Sequence, residues 1–438
     1  KESALVCVPL IPLAAVILAP LTHPAKPRRW YRGIVSFVAA AAAFVLYVQL
    51  RKHWFPSPDA PELSTPLPQG ASLIQKAARG FMVWFHQAPL PKDPLNNPLV
   101  NAPVSLRVAG ALRVFFRGLG QVVFPYTLSG DYSYPQEPVP AHPYEIESLL
   151  GALALVGLPV GGVVLWVRSI FKEKTAPAIE TSTPADLLPP PVDLARLVGP
   201  FSALGLIWVV VSYFPHSNIP TLLPTVRAER FWYFPVIGSC LAIAAFVAWL
   251  FERTKGKHQG AIAIGVFAAF LTYQGARCRL HAFDYKDDLV FWDATRHAVP
   301  RSAKAHLNYS VMWGARGRLD VRLESNRVAA HLAPKWPMAH VYLGDTLCRL
   351  HRAPEAWPHY LKGFEMANGD PNLISLGLQC MWDEQDFEPH REELIELASK
   401  YPSSWLHYLV HDVASNGTKN NGVDPKYRPR GYNEGPKE

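Results

Sequence analysis

Residues 217–235 read SNIPTLLPTVRAERFWYFP and lie between two strongly apolar segments. Arg227, Glu229 and Arg230 bring two guanidinium groups and a carboxylate close together, followed at once by Trp232 and Tyr233. Guanidinium groups bind phosphate through paired hydrogen bonds, so Arg227 and Arg230 suit a phosphate held at a membrane surface. Glu229 would orient one of them by ion pairing. His216 and Asn218, at the other end of the loop, would add hydrogen-bond donors. The same spacing fits a plainer role, in which the arginines snorkel and the aromatics sit in the headgroup belt. Arg107 and Arg113, within VSLRVAGALRVFFRGLGQVVF (104–124), are further cations that would face lipid headgroups or a phosphate. Asp287-Asp288 resembles a metal or sugar-nucleotide dyad but also suits a solvated helix face. The histidines contain no HExxH, and no glycine-rich phosphate loop occurs, so no metal site is expected.

The elements that must position these residues follow from composition. The chain has 438 residues and a net charge of +8. Residues 1–275 hold long apolar runs, whereas 276–438 are polar and carry most of the acidic groups. Lys and Arg cluster beside the apolar runs, which reads as membrane topology and argues against nucleic acid as a partner. Many of the 42 prolines lie in loops such as PSPDAPELSTPLP and LLPPP. The five cysteines (7, 240, 278, 348, 380) are scattered, so neither a disulfide framework nor a structural metal is expected. The sequence opens directly on apolar KESALVCVPLIPLAAVILAP, as expected of a fragment or of a protein whose earlier spans lie elsewhere.

A helix needs about 20 mostly apolar residues to cross a bilayer. Six segments qualify: 4–21, 34–50, 148–167, 198–214, 233–251 and 259–275. Segment 104–124 has the length but carries Arg107, Arg113 and Arg117, each costing roughly 2.5–3.5 kcal/mol near the bilayer centre. Its Leu106, Val108, Leu112, Phe115, Phe116 and Leu119 suit a helix lying in the interface. With six spans, the cytoplasmic loops carry Lys26, Arg28, Arg29 and Arg32, then Arg168, Lys172 and Lys174, then Arg253, Lys255 and Lys257. This obeys the positive-inside rule and puts 51–147, 215–232 and everything after 275 outside the cytoplasm.

Residues 300–402 repeat with a period of 34, most clearly in AHVYLGDTLCRLHRAPEAWPHYLKGFEMA. Leu343, Gly344, Leu347, Ala356 and Tyr360 fall where a tetratricopeptide repeat needs small or apolar residues. The first repeat departs from the pattern at Arg322, and a weaker third unit runs over 372–402. The expected fold is all-α: a polytopic membrane domain (1–275, about six spans and an interfacial helix), then a short tetratricopeptide-repeat solenoid (276–415) and a disordered tail (416–438). A groove involving Tyr309, Leu343 and Asp345 would hold a protein partner; a structural cap is the alternative. Asn308 (NYS) and Asn416 (NGT) are glycosylation sequons.

Several stretches together resemble the C-terminal part of the transmembrane and tetratricopeptide-repeat O-mannosyltransferases and their bacterial relatives. They are NNPLVNAP…LRVAGALRV (96–114), VFPYTLSGDYSYP (123–135), PHSNIP…RAERFWYFPVIGSCL (215–241) and the repeats after 300. The resemblance implies a GT-C type membrane enzyme moving a sugar, with mannose expected, from a polyprenyl-phosphate donor to a Ser or Thr hydroxyl. Transfer would occur outside the cytoplasm, in the periplasm or the endoplasmic reticulum lumen. It implies membrane lipid and donor at Arg227 and Arg230, and an acceptor protein at the repeats. Such enzymes carry an essential acidic residue in their first outer loop, which this sequence does not show. An upstream part or a second chain completing the membrane domain is therefore expected. Asp131, in SGDYSYP, is the remaining acidic candidate near the acceptor, although Ser-Gly-Asp also reads as a turn whose Asp caps it. The alternative is a non-catalytic membrane anchor that displays repeats to a partner protein.

Overall fold

The computed structural model describes residues 6–18, 29–54, 70, 73–85, 90–175, 194–253, 257–367, 370–415 and 422–430, and no strand occurs among them. The fold is all-helical, in two compact units: 1–128 with 139–279, and 129–138 with 280–438.

The first unit contains α1 (Cys7–Ile17), α2 (Arg29–Trp54), α3 (Leu73–Phe85), α4 (Val104–Val123), α5 (Ile146–Thr175), α6 (Leu194–Tyr213), α7 (Pro235–Arg253) and most of α8 (Lys257–Phe283). Five stretches in these helices are long and apolar enough to cross a membrane: Tyr31–Trp54, Ile146–Phe171, Arg196–His216, Pro235–Arg253 and His258–Phe283. The chain is thus an integral membrane protein. The sixth expected span, 4–21, gives only the 11 residues of α1 among those described. At 1.5 Å per residue that is about 16 Å, roughly half the hydrocarbon thickness. Lys26 and Arg28 lie outside the described residues, as do Lys255 and the sequon Asn416.

Small residues bring these helices together. A β-carbon on Gly205 of α6 would lie 2.6 Å from the Gly238 carbonyl oxygen of α7, so the two backbones touch directly. Close backbone approach replaces the hydrophobic driving force that lipid does not supply. Helix α4 buries Ala109, Gly110, Ala111, Arg113, Val114, Phe115 and Gly118. Its inward stripe is therefore mostly small residues, with Val114, Phe115 and one arginine. The α4 C-terminus is closed by α8: Gln274 donates to the Val123 carbonyl at 2.8 Å and Arg277 to those of Pro125 and Tyr126 at 2.9 and 2.6 Å. A cation there complements the negative end of the helix dipole.

The second unit contains α9 (Asp288–Ala298), α10 (Ala303–Gly314), α11 (Leu319–Leu332), α12 (Pro337–Arg349), α13 (Ala353–Met366), α14 (Pro371–Asp383), α15 (Arg391–Ser399) and α16 (Trp405–Ala414). The helices α10, α12 and α14 start at Ala303, Pro337 and Pro371, a step of 34 residues; α10 packs on α11 and α12 on α13, whereas α14 packs on α12 and α16. They share one core, including Tyr360, Phe364, Ile374, Leu378 and Met381, all fully buried. Gly344 lets α12 meet the Tyr360 ring, where an added β-carbon would sit 2.9 Å away. Arg322 is also buried, and its charge is met by Asp345 at 2.6 Å.

Two expectations are corrected here. Cys348 and Cys380 form a disulfide joining α12 to α14, with Cα atoms 6.4 Å apart. Their sequence separation of 32 is close to one repeat step, which superposes them on successive first helices. The tail is ordered over 422–430: Val423 is buried, Arg428 pairs with the fully buried Asp412 at 2.9 Å, and Tyr427 meets Trp405.

Candidate functional site

The 214–234 loop is built by Asn218. Its backbone is left-handed (φ 61°), which Asn tolerates better than most residues. Its side-chain oxygen accepts from Leu223 N–H and from the Asn97 amide, both at 2.9 Å, and its own amide donates to the Val226 carbonyl at 3.1 Å. Asn97 also donates to the Leu223 carbonyl at 2.7 Å. Asn218 and Asn97 are both buried. Asn218 therefore spends its hydrogen bonds on the loop, and corrects the expectation that it offers donors to a ligand.

The end of the loop packs inward. Residues Glu229–Trp232 form a short 3-10 turn, and Trp232 is buried. Its indole lies 5.7 Å from the Phe115 ring of α4 and 4.7 Å from Tyr213 of α6. Trp232 is thus a core residue and not a belt aromatic, whereas Tyr233 is 76% exposed. Val226 joins Leu99 and Val114 in a second small cluster. These contacts hold the loop against α4 and leave Arg230 exposed at its edge.

Arg230 is exposed; its guanidinium reaches Thr225 Oγ1 at 3.4 Å and lies 5.3 Å from the Phe231 ring centre. Arg227 and Glu229 are half-buried. His216 is half-buried and stacks on Phe231 at 5.2 Å. Arg107 is half-buried on α4, on the same helical face as Gly110, Ala111 and Val114, and its Nε has no hydrogen-bond partner among the described residues. Arg113 and Arg117 differ: they pair with Glu145 at 2.9 Å and Glu147 at 2.6 Å. Arg113 therefore serves the fold, contrary to the headgroup role expected of it. Burial works against ionisation of Glu145, but the Ala141 N–H and Arg113 overcome it and hold the carboxyl below its usual range.

Asp131 lies in the second unit, on the 129–138 strap, and is only 9% exposed. Its Oδ2 accepts from Ser133 N–H (3.0 Å), Ser133 Oγ (2.6 Å) and Ser302 Oγ (3.1 Å), and its Oδ1 from Lys304 at 3.2 Å. Ser302 is in turn the N-cap of α10. Asp131 thus fastens the strap to the start of the helical hairpins, a role that long-range partners create and sequence cannot reveal.

The three residues expected in the repeat groove are inside the unit. Tyr309 is buried, with the Arg296 guanidinium 4.1 Å from its ring centre. Asp345 is fully buried between Arg322 and Arg349. Leu343 is 4% exposed and lines a cleft. Tyr309 and Asp345 are corrected to structural roles. Asp287 caps α9 by accepting from Val290 N–H, with Asp288 in its first turn, and Asn308 donates to the Lys304 carbonyl within α10. Neighbouring His407 and His411 lie with ring centres 4.5 Å apart, and no three-residue metal-ligating group occurs among the described residues.

No family model and no solved structure matches the chain. Over 106 residues, 24% of this chain, it is 28% identical to human "Protein O-mannosyl-transferase TMTC4", and the match spans 14% of that protein's length.

Proposed function

We propose that this chain is part of a membrane glycosyltransferase of the O-mannosyltransferase kind. It would transfer mannose from a polyprenyl-phosphate donor to protein Ser or Thr outside the cytoplasm. The observation that carries the reading is a pair of arginines in the first unit that keep hydrogen-bonding capacity to spare. Arg107 keeps an enclosed Nε with no partner among the described residues, and Arg230 is exposed at the rim of a loop anchored by Asn218 and Trp232. A phosphate leaving group gains from such preplaced donors. Arg227 and His216 would complete the donor-phosphate site, with Glu229 orienting one arginine. The partial likeness to TMTC4 supports the same reading.

The Cys348–Cys380 disulfide supports an extracytoplasmic place for the hairpins, because such bonds persist in oxidising compartments. The hairpins would act as tetratricopeptide repeats that hold the acceptor or an assembly partner. A second reading, a membrane-anchored scaffold, is favoured by one feature: four hydrogen bonds occupy Asp131, the acidic candidate.

The test is donor binding. Losing a charge-assisted hydrogen bond is worth about 1.5–3 kcal/mol, so Arg230→Ala and Arg107→Ala should each weaken binding of a polyprenyl-phosphate mannose by roughly ten- to a hundredfold. Membrane insertion should be unchanged. Equal affinity of parent and variants would remove the phosphate site and leave the scaffold reading. Protease added outside sealed vesicles of known orientation should release a fragment of the hairpin region.

A further inference from the structure

The second unit holds a cleft of about 300 Å³ lined by Arg327 and His331 of α11, His340 and Leu343 of α12, and Glu355 and His359 of α13. Its hydrogen bonding has a direction. His340 Nε2 lies 3.0 Å from the Pro334 carbonyl oxygen, which can only accept, so the proton sits on Nε2 and Nδ1 carries a lone pair. His359 Nδ1, 3.4 Å from that lone pair, is the donor. The relay leaves His359 Nε2 as the free end, able to donate once it takes a proton.

The charges do not balance. Arg327 makes no hydrogen bond or ion pair among the described residues. Glu355 is the carboxylate lining the cleft, and Arg352 holds both its oxygens at 2.7 Å. Lys362 adds a further positive charge felt by the buried His340 and the half-buried His359. Positive charge and the unspent donors of Arg327 thus converge on a half-open cleft.

We propose that this cleft binds an oxyanion, a carboxylate or a phosphate, between Arg327 and His359, and that His359 takes up a proton from solvent when the anion binds. Burial first, then the charges of His340, Lys362 and Arg327, hold His359 below the usual imidazole range, with Glu355 opposing them. Burial and Lys362 do the same to His340. A bound anion reverses the charge part of that depression, so binding and protonation reinforce one another. His331 adds a further ring nitrogen at the exposed rim. The site is independent of the sugar-transfer reading, since none of its residues lies in the first unit.

The test uses the full chain in detergent and titration calorimetry at pH 6 and pH 8, in two buffers of different ionisation heat. The probes are inorganic phosphate, a short peptide with one glutamate, and the same peptide with glutamine. Binding should be at least about tenfold tighter at pH 6, with proton uptake. Arg327→Gln and His359→Gln should each lose about tenfold or more while the unfolding temperature stays near that of the parent. Binding of phosphate and the glutamate peptide alike assigns the site to free anions. Binding of the glutamate peptide alone assigns it to acidic side chains of a partner. No binding by either, equal affinity at the two pH values, equal affinity of the glutamine peptide, or undiminished binding by both variants overturns the proposal.

Discussion

The Trp232 indole occupies the space that a side chain at Gly118 would need: a β-carbon there would overlap the indole Nε1, Cε2 and Cζ2. Gly118 belongs to α4 and Trp232 to the turn that follows Arg230. The absence of a side chain at one position thus sets where the arginine loop rests. Phe115, one turn earlier on α4, stacks on the same indole with the rings 15° from parallel.

Gly118→Val should therefore expel Trp232 from its seat. Overpacking of this kind costs about 1–3 kcal/mol. Thermal unfolding in detergent should show a lower midpoint, and Trp232 fluorescence should shift to the red as the ring meets water. A variant with parental midpoint and spectrum would mean that the indole is not seated there.

Arg113→Met should destabilise the first unit, because Glu145 loses its guanidinium while remaining partly covered. Loss of a charged hydrogen-bond partner costs roughly 1–3 kcal/mol, and the 30% exposure of the Glu145 side chain places the effect at the low end. Adding Glu145→Gln should restore part of the loss, since no carboxylate is then left unpaired. A double-mutant cycle without coupling would count against the pair.

Asp131→Asn should loosen the strap. The variant keeps the shape but loses the charge that Lys304 meets at 3.2 Å. Protease cleavage between residues 125 and 140 should become faster, and Lys304→Met should produce the same change without adding to it. If Asp131→Asn abolished the proposed sugar transfer with no change in cleavage, a chemical role for Asp131 would replace the structural one.

Cys380→Ser should free the α12–α14 junction. Closing a loop of this length is worth about 3–4 kcal/mol in the chain-entropy estimate. Alkylation before and after reduction should reveal two further reactive thiols beside Cys7, Cys240 and Cys278. Equal labelling under both conditions would mean that the bond is not formed.

Acid should weaken the second unit through its partly or fully buried imidazoles. Burial is the main cause holding His306, His340 and His359 below the ordinary value, so the folded unit disfavours their charged forms. Their contribution is present above about pH 6.5 and is lost as pH falls from there through the lowered folded values. In buffers without oxyanions, the unfolding midpoint should fall between pH 7.5 and pH 5.5, and His306→Gln should reduce the slope. A midpoint that rises on acidification would refute the assignment.

Much of this architecture is legible along the chain because it depends on local composition. Five spans follow from uninterrupted apolar length, and 104–123 becomes a helix despite its three arginines because helix propensity is local. Other features depend on distant partners. The apolar spacing of α4 does not reveal that Gly110 and Gly118 are valued for what packs against them. Tyr309 and Asp345 looked available because a repeat pattern does not say which polar side chains its hairpins enclose.

Residue types and spacing alone determined an all-helical membrane protein with arginines at a helix edge and a 34-residue periodicity. Only the tertiary structure decided which charged groups remain uncommitted. It spent Arg113 on Glu145, Asp131 on Lys304 and Ser302, and Asn218 on its own loop, and among the described residues it left Arg107 Nε without a hydrogen bond and Arg327 without a hydrogen bond or ion pair. The physical reason is that hydropathy acts through a residue's own side chain, whereas hydrogen bonds and ion pairs need a second group that the fold brings from far along the sequence.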